Sequence, residues 1–281
     1  MFDPDSYRQQ SLRTWGQMAS GWRDRNDWMM SLSGVVNDWI VERADPRPGQ
    51  TFLEVASGAG DLGFRVAERV GDEGEVISTD FAPEMVEVAS RLGQEKGISN
   101  IRHRVLDAER MDLESESVDG VVCRWGYMLM ADSAAALGES RRVLREGGKL
   151  AFAVWAAPDR NPWAAVPGMT LVQRGHMDPP SPGAPGIFAM ADPERINDLV
   201  TGAGFAKPEL EEIPFDFVYP DFDDLWDSIV RLAGPLANVV NALPADEGQA
   251  TREAIRENVD SFRNQDGSYT APALTWGVLS N

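Results

Sequence analysis

An apolar, strand-like segment that carries one carboxylate leads directly into a glycine-rich loop. The sequence is Phe52-Leu-Glu-Val-Ala-Ser-Gly-Ala-Gly-Asp-Leu-Gly63, with Glu54 inside the apolar run and Gly58 and Gly60 in the loop. Glycines let a backbone pass close to a ligand, and the start of the helix that follows presents unpaired N–H groups. This order of strand, loop and helix predicts a cradle for a nucleotide-like cofactor.

Two kinds of cofactor fit such a loop. Residues 58–63 match G-x-G-x-x-G, and Asp80 lies at the distance typical of a ribose-binding carboxylate, so a nicotinamide dinucleotide stays open. Glu54 favours S-adenosylmethionine (SAM), because a carboxylate there can reach a cationic amino group but would repel a pyrophosphate. Asp61, at the start of the following helix, would repel a pyrophosphate as well.

Five segments come in the order and at the spacing of a known enzyme class. They are LEVASGAGD at 53–61, VISTDFAPEMV at 76–86, VLDAE at 105–109, VDGVVCRWGYML at 118–129 and LREGGKLAFAVW at 144–155. With them the chain resembles the class I SAM-dependent methyltransferases, in the broad group that includes the ubiquinone/menaquinone C-methyltransferases. The resemblance implies SAM as the cofactor and methyl transfer as the reaction. It leaves the methyl acceptor open.

The resemblance also implies which residues hold the cofactor. They are Glu54 for the amino group, Ala56, Ser57, Gly58 and Gly60 in the loop, Asp80 for the ribose, Phe81 and Met85 beside the adenine, Asp107, Ala108 and Glu109 at its edge, Arg124 and Trp125 near the methionine part, and Trp22 over the sulfonium. Other roles stay open for four of them. Asp80 also fits a turn cap, Met85 and Trp22 fit core positions, and Glu109 fits solvated surface.

Two residues are candidates for catalysis. Tyr127 follows the fourth strand and can donate a hydrogen bond or act as a base, although packing explains it equally well. His176, in a long loop, is the candidate histidine base, with exposed loop surface as the alternative. Methyl transfer from a sulfonium needs a base only when the acceptor is a weak nucleophile. The quinone enzymes carry an Arg-Asn pair where this chain has Tyr127-Met128, which weakens any transfer of their substrate.

Strand and helix patterns alternate through the middle of the chain, which predicts a parallel sheet covered by helices. Expected strands lie at 51–56, 75–80, 101–107, 118–125, 148–155, 213–219 and 273–280, and expected helices at 61–70, 83–96 and 132–145. In the resembled fold, the last two strands form an antiparallel pair at one edge of the sheet. The expected fold class is therefore α/β: a Rossmann-like seven-stranded SAM-methyltransferase sheet with an N-terminal helical cap and an inserted helical lid.

One methyltransferase domain is expected to span residues 1–281. Its parts are an N-terminal helical cap at 1–45, the SAM-binding core at 46–156, a loop insertion at 157–191, the end of the core at 192–220 and 270–281, and a helical lid at 221–269. The loop assignment rests on the many prolines and glycines of that segment. The lid is expected to contain helices at 221–233 and 245–263.

Composition restricts the partners. A net charge of −19 argues against nucleic acid or an anionic membrane surface as the main partner, because phosphates are bound by clustered Lys and Arg. The single Cys123 excludes an intrachain disulfide, and two histidines are too few for a His-based metal centre, although carboxylate sites stay open. No metal is assigned to the site. No secretion-signal pattern and no apolar run of about 18 residues is visible. We expect a cytoplasmic protein without stable membrane insertion, and a homodimer is an open option.

The lid, the long loop and the many Trp and Met side chains suggest an enclosed apolar pocket. The expected function is SAM-dependent methylation, on carbon or oxygen, of a small or medium-sized acceptor that is apolar or aromatic. Two alternatives are a non-catalytic SAM-binding sensor or scaffold and an NAD(P)-dependent oxidoreductase.

Overall fold

The computed structural model describes residues 2–181 and 183–281, and a seven-stranded sheet forms its centre. The strands are β1 (Thr51–Val55), β2 (Glu75–Asp80), β3 (Ile101–Val105), β4 (Val118–Arg124), β5 (Leu144–Trp155), β6 (Glu209–Tyr219) and β7 (Tyr269–Ser280). Their order across the sheet is β3-β2-β1-β4-β5-β7-β6. Strands β1 to β5 run parallel, and β7 lies antiparallel between β5 and β6. The expected Rossmann-like α/β sheet is confirmed.

The strand order reverses at β1, which pairs with β2 on one side and with β4 on the other. In an open parallel sheet, such a reversal leaves a crevice beyond the carboxyl ends of the strands, where ligands bind. Leu53 of β1 and Val122 of β4 have no exposed surface, so the two strands are fixed in the core. The glycine loop after β1 and the segment after β4 therefore meet at this crevice.

Helices flank the sheet on both faces. They are α1 (Pro4–Asp24), α2 (Asn26–Ala44), α3 (Asp61–Val70), α4 (Pro83–Glu95), α5 (Ser133–Val143), α6 (Pro162–Gln173), α7 (Pro193–Gly202), α8 (Phe222–Leu232), α9 (Pro235–Asn241) and α10 (Ala245–Asn258). Proline is tolerated in a first helical turn, as at Pro83, and Gly71 ends α3 with a φ of 65°. Over residues 2–181 and 183–281, none of the helices has the length and apolar character required to cross a membrane.

The two N-terminal helices have different structural roles. Val36 and Ile40 of α2 have no exposed surface and belong to the main hydrophobic core. Helix α1 packs instead in a smaller cluster, where Met18 contacts the same group of residues as Met85 of α4. The expected helical cap therefore corresponds to α1, whereas α2 is part of the core.

Part of the segment expected to be a loop, 157–191, is helical. Helix α6 occupies Pro162–Gln173, and Ala164 and Leu171 are buried on it. Pro162 lies in the first turn, where a missing N–H costs no hydrogen bond, and Pro167 is accommodated inside the helix. The expectation of a loop was wrong here because the cluster of prolines and glycines after residue 178 dominates the composition of the whole segment.

The inserted helices α8, α9 and α10 lie between β6 and β7. Both strands begin four residues earlier than expected, at Glu209 and Tyr269, and pair along their whole length. Pro214 and Pro272 weakened the strand pattern in the sequence. Because β6 is an edge strand and Pro272 lies where β7 pairs only with β6, both positions tolerate a residue without an N–H.

Candidate cofactor and acceptor site

A continuous cavity of about 230 Å³ lies beyond the carboxyl ends of β1, β2 and β4. One water needs roughly 10–15 Å³ on the same measure, so the space suits a ligand of many atoms. The segments after β1, β2 and β3 supply most of its polar lining. Aromatic and aliphatic side chains of α2, α6, β6 and α8 supply an apolar lining, and α1 adds Tyr7, Arg8, Ser11 and Trp15. The cavity thus joins a polar end to an apolar end.

The loop after β1 has the backbone conformation that its glycines allow. Gly58 has a φ of 54° and lines the cavity, and a Cβ added there would meet no atom within 4 Å. Ala56 lines the cavity with a positive φ of 53°, which is unusual for a residue other than glycine. Gly60 lies outside the lining, and a Cβ there would lie 2.7 Å from the Phe64 ring. This corrects the expected role of Gly60: its left-handed backbone, with a φ of 91°, and its packing against Phe64 both require the glycine.

Glu54 lies in the lining of the polar end with both carboxylate oxygens hydrogen-bonded. The Gly63 N–H donates to Oε1 at 2.7 Å and Ser78 Oγ donates to Oε2 at 2.6 Å. Burial raises the pKa of Glu54 to about 7, and the two hydrogen bonds and the nearby Arg124 guanidinium oppose that rise. A cationic ligand group would favour the ionised form, so this carboxylate is suited to bind an ammonium.

Asp80, at the end of β2, ties the glycine loop to the next segment. The Gly58 N–H donates to Oδ2 and the Ala82 N–H donates to Oδ1, both at 2.9 Å. Burial raises the pKa of Asp80, and the backbone donors oppose the rise. Phe81 and Met85 line the cavity beside it, and Met85 also packs in the small cluster under α1. Asp80 therefore caps a turn and faces the cavity, and Met85 is both core and lining.

Asp107, Ala108 and Glu109 line the cavity after β3. Asp107 Oδ1 accepts a hydrogen bond from the Glu109 N–H at 3.0 Å. Glu109 accepts hydrogen bonds from Arg8 Nε at 2.9 Å and from the Asp132 N–H at 3.2 Å. Its side chain is 7% exposed, so the ion pair with Arg8 is largely enclosed. The ion pair of Glu109 with Arg8 therefore holds α1 against the site, and Glu109 is not a solvated surface residue.

Arg124 lines the cavity at the end of β4. Its Nη1 donates to Asn37 Oδ1 at 3.1 Å and to Ser33 Oγ at 3.3 Å, both on α2. Burial lowers the pKa of Arg124, whereas Asp61 and Glu54 raise it. Because the direct partners of Nη1 are neutral, the guanidinium keeps its charge available to an anionic ligand group.

Trp125 follows Arg124 with a strained backbone. Its φ of 58° is an outlier for a bulky side chain, and such strain clusters at functional sites. The indole N–H donates to Thr275 Oγ1 at 3.1 Å, and the ring stacks on Trp155 with centroids 4.2 Å apart. Trp125 thus lines the cavity as part of an aromatic group, while Arg124 stays with Glu54 at the polar end.

Comparison with known proteins agrees with this geometry. A sequence model described as the ubiE/COQ5 methyltransferase family matches residues 17–161, slightly more than half of the 281-residue chain. The chain belongs to the ubiE/COQ5 methyltransferase family. The expected membership of the SAM-dependent methyltransferase class, and SAM as its cofactor, are confirmed.

Three similar proteins show how far the likeness extends. The ubiquinone/menaquinone biosynthesis C-methyltransferase UbiE of Coxiella burnetii (strain RSA 331 / Henzerling II) is 33% identical over 143 residues, covering 50% of this chain and 57% of the relative. The aklanonic acid methyltransferase DauC of Streptomyces sp. (strain C5) is 34% identical over 113 residues, which cover 40% of this chain and 51% of the relative. The chain thus spans about half the length of these curated relatives. The solved structure of a candidate methyltransferase of Bacillus halodurans C-125 shares the fold, with a TM-score of 0.60 and 19% identity. The match covers 87% of this chain and 97% of that protein.

Two buried polar atoms test whether the polar end fits the family's cofactor. Ser57 Oγ and Trp22 Nε1 are enclosed and form no hydrogen bond with the described residues, although both residues line the cavity. Leaving a buried polar group unpaired costs about 1–3 kcal/mol. A ligand with several polar atoms, such as SAM, removes that cost, so the residues present fit the cofactor.

Tyr127 does not face the cavity, which corrects its expected catalytic role. It has no exposed surface, and its hydroxyl lies 2.6 Å from Ser140 Oγ. Burial raises the pKa of Tyr127 well above its ordinary value. A short 3₁₀ helix at 127–129 turns Met128 into the lining and Tyr127 towards α5. Tyr127 is therefore a packing residue, as the alternative interpretation held.

His176 also lies outside the cavity lining. Its Nε2 is 3.3 Å from a carboxylate oxygen of Glu247 on α10. This position corrects the expectation of a histidine base, because the ring lies beside Glu247 and not in the cavity lining. In the part of the chain that the structure describes, no three His, Cys, Asp or Glu side chains are grouped to hold a metal ion.

Sequence reasoning missed most of the apolar end. Six rings line it in one connected group, which we call the aromatic wall: Trp28, Trp125, Trp155, Trp163, Phe217 and Tyr219. Neighbouring centroids are 4.8 Å apart for Trp155 and Trp163 and 4.6 Å apart for Trp163 and Phe217. The signal in the sequence was only the number of tryptophans, which does not say which of them share a cavity.

Glu54→Gln is expected to move stability and SAM affinity in opposite directions. The folded-state pKa of Glu54, about 7, lies above its ordinary 4.5. Its stabilising contribution is therefore complete below about pH 4.5 and is lost as the pH rises through about 7. Glutamine mimics the protonated acid, so at pH 8 the SAM-free variant should melt above the wild type. SAM should bind it more weakly, because the ammonium loses a charged partner.

Melting curves at pH 5 and pH 8, with and without SAM, measure both effects. Glu87→Gln on the exposed face of α4 is the matched control and should behave as the wild type. If the Glu54 variant and the wild type lose stability equally between the two pH values, Glu54 does not titrate as described.

Proposed function

We propose that this protein is a SAM-dependent methyltransferase acting on a small or medium-sized acceptor, apolar or aromatic, at carbon or oxygen. The observation that carries the proposal is one continuous cavity with the carboxylates Glu54, Asp80 and Asp107 at one end and the aromatic wall at the other. When bound, SAM supplies an electrophilic methyl group on a positively charged sulfur. The protein's own part is to orient the reactants and keep water away from them.

The residues at the polar end are proposed to have the roles that the family resemblance implies. We assign Glu54 to the ammonium of the cofactor, Asp80 to the ribose hydroxyls and Asp107 to the edge of the adenine. The unpaired Ser57 Oγ and Trp22 Nε1 are assigned to polar atoms of the cofactor. The full set proposed to hold SAM is Trp22, Glu54, Ala56, Ser57, Gly58, Asp80, Phe81, Met85, Asp107, Ala108, Glu109, Arg124 and Trp125.

The tyrosines of the lining are not suited to deprotonate an acceptor. Burial raises the pKa of Tyr7 to about 12, and burial also raises the pKa of Tyr219 far above its ordinary value. The Tyr7 hydroxyl donates to the Leu129 carbonyl oxygen at 2.9 Å. Both phenols stay neutral near pH 7, so neither serves as the base. We propose an acceptor that is a nucleophile by its own ionisation, such as an acidic phenol or enol.

The similar proteins support this range of acceptors. UbiE is named for C-methylation in ubiquinone and menaquinone biosynthesis and DauC for aklanonic acid, so both act on small molecules. We further propose a cytoplasmic enzyme whose partner is its small-molecule acceptor, without nucleic acid. A homodimer through α8 to α10 remains part of the proposal, and sedimentation equilibrium tests it.

A product assay tests the proposed reaction. Purified protein with SAM should form S-adenosylhomocysteine (SAH) when given acidic phenols or enols, and should form none with DNA, RNA or no acceptor. The rate should rise with pH through the pKa of the acceptor, because the acceptor and not the protein loses the proton. Tight SAM binding without SAH formation from any acceptor of the panel would instead support a sensor or scaffold.

A further inference from the structure

Trp163, a member of the aromatic wall, lines the cavity and also contacts two neighbouring rings closely. It is half-buried and lines the cavity from α6. Its centroid lies 4.8 Å from Trp155 and 4.6 Å from Phe217, with tilted planes. Trp155 is more enclosed, at 4% exposure, because Trp125 stacks on it. Trp163 therefore has ring surface that a ligand can contact, whereas Trp125 covers the corresponding surface of Trp155.

A buried amide fixes the indole of Trp163. Asn161 has no exposed surface, and its Oδ1 accepts from Trp163 Nε1 at 3.1 Å and from the Leu274 N–H at 2.9 Å. Its Nδ2 donates to the carbonyl oxygens of Leu274 at 2.9 Å and Ala156 at 3.1 Å. A fully satisfied buried network holds one geometry. Asn161 thus joins the end of β5, β7 and the first turn of α6, and sets the rotation of the ring.

The remaining apolar lining comes largely from one face of α8. Leu225, Ile229 and Leu232 are spaced four and three residues apart, so they form a ridge on one side of the helix, and all three line the cavity. A space bounded by ring surfaces and an aliphatic ridge suits a flat apolar molecule. Aromatic rings also gain from offset-stacked or edge contacts beyond the area they bury.

We propose that Trp163 selects the acceptor by contacting the face of a planar aromatic ring, and that Asn161 is the positioning residue that holds the indole for this contact. The inference rests on the proposed function and narrows its acceptor class to planar aromatic molecules. Nothing in the polar end is involved, so cofactor binding and acceptor selection can be separated by experiment.

Two probes with the same carbon skeleton test the selection: 2-naphthol, which is planar and aromatic, and decahydro-2-naphthol, which is saturated. Their dissociation constants are measured by calorimetry on the protein saturated with SAH. Trp163→Leu should weaken 2-naphthol roughly tenfold, which corresponds to about 1.4 kcal/mol, and change decahydro-2-naphthol by less than about twofold. Trp163→Phe keeps a ring and should retain most of the preference. Trp226→Leu, a half-buried tryptophan of α8 outside the cavity lining, is the matched control and should change neither.

The role of Asn161 is tested by a double-mutant cycle. Asn161→Ala should weaken 2-naphthol severalfold in the presence of Trp163 and have little effect in the Trp163→Leu background. Equal weakening in both backgrounds would overturn the positioning role. Equal loss of both probes in Trp163→Leu, or no loss, would overturn the selection by Trp163, and this test stands even if Asn161→Ala fails to fold. Failure of the wild type to bind SAH would count against the proposed function instead.

Discussion

Replacing Asp80 with alanine is expected to weaken SAM binding by at least about 100-fold. Asp80 accepts hydrogen bonds from the Gly58 and Ala82 N–H groups, so the side chain fixes the loop that forms one side of the cofactor site. It is also the carboxylate assigned to the ribose hydroxyls. Hydrogen bonds to a charged group contribute about 1.5–3 kcal/mol each, and losing two of them to the ligand gives a factor of this size. Calorimetric titration with SAH measures it.

Two further variants make the result specific. Asp80→Asn keeps one acceptor oxygen and loses the charge, so its SAH affinity should fall between those of the wild type and the alanine variant. Asp198→Ala, at an exposed position on α7, removes a similar carboxylate away from the cavity and should leave the affinity unchanged. SAH affinity within about twofold of the wild type in Asp80→Ala would contradict the assignment.

Gly63→Ala is expected to cost about 3 kcal/mol of unfolding free energy. A Cβ at Gly63 would lie 2.2 Å from Glu54 Oε2. The Glu54 carboxylate cannot easily move, because the Gly63 N–H and Ser78 Oγ both donate to it. The clash therefore breaks either these hydrogen bonds or the packing of α3 on β1. For a chain of this size the melting temperature should fall by roughly 6–12 °C.

Gly138→Ala is the matched control for this substitution. Gly138 lies inside α5, and a Cβ there would meet no atom within 4 Å. Alanine is favoured over glycine in a helix interior by about 1 kcal/mol, so this variant should melt at the same temperature or higher. A similar melting temperature for the two alanine variants would mean that Glu54 is not packed against Gly63 as described.

The polar end of the site could be predicted because its residues follow consecutive parallel strands. Glu54 lies in β1 and Asp80 ends β2, and adjacent strands bring their carboxyl ends together whatever the loops do. The chemistry of the glycine loop is local in sequence for the same reason. Gly60 shows the limit of such reasoning, since a positive φ and the packing of Phe64 require this glycine, and it lies outside the cavity lining.

The apolar end could not be predicted because its residues come together only through distant contacts. Trp163 lies on α6, inside a segment whose prolines and glycines suggested a loop, and Phe217 lies on an edge strand. Arg8 reaches Glu109 across the fold, and no local pattern marks that partnership. Tyr127 and Met128 are neighbours in sequence, yet a single 3₁₀ turn directs one into the core and the other into the cavity.

The most direct test of the proposed function is thermal unfolding of the purified protein with SAM, SAH, NAD and NADP. A ligand present at about a hundred times its dissociation constant adds roughly 2.7 kcal/mol of stability, which should raise the melting temperature by at least several degrees. We expect SAM and SAH to raise it and the dinucleotides to leave it unchanged. A rise with a dinucleotide alone would contradict the roles given to Glu54 and Asp80, and with them the proposal of methyl transfer.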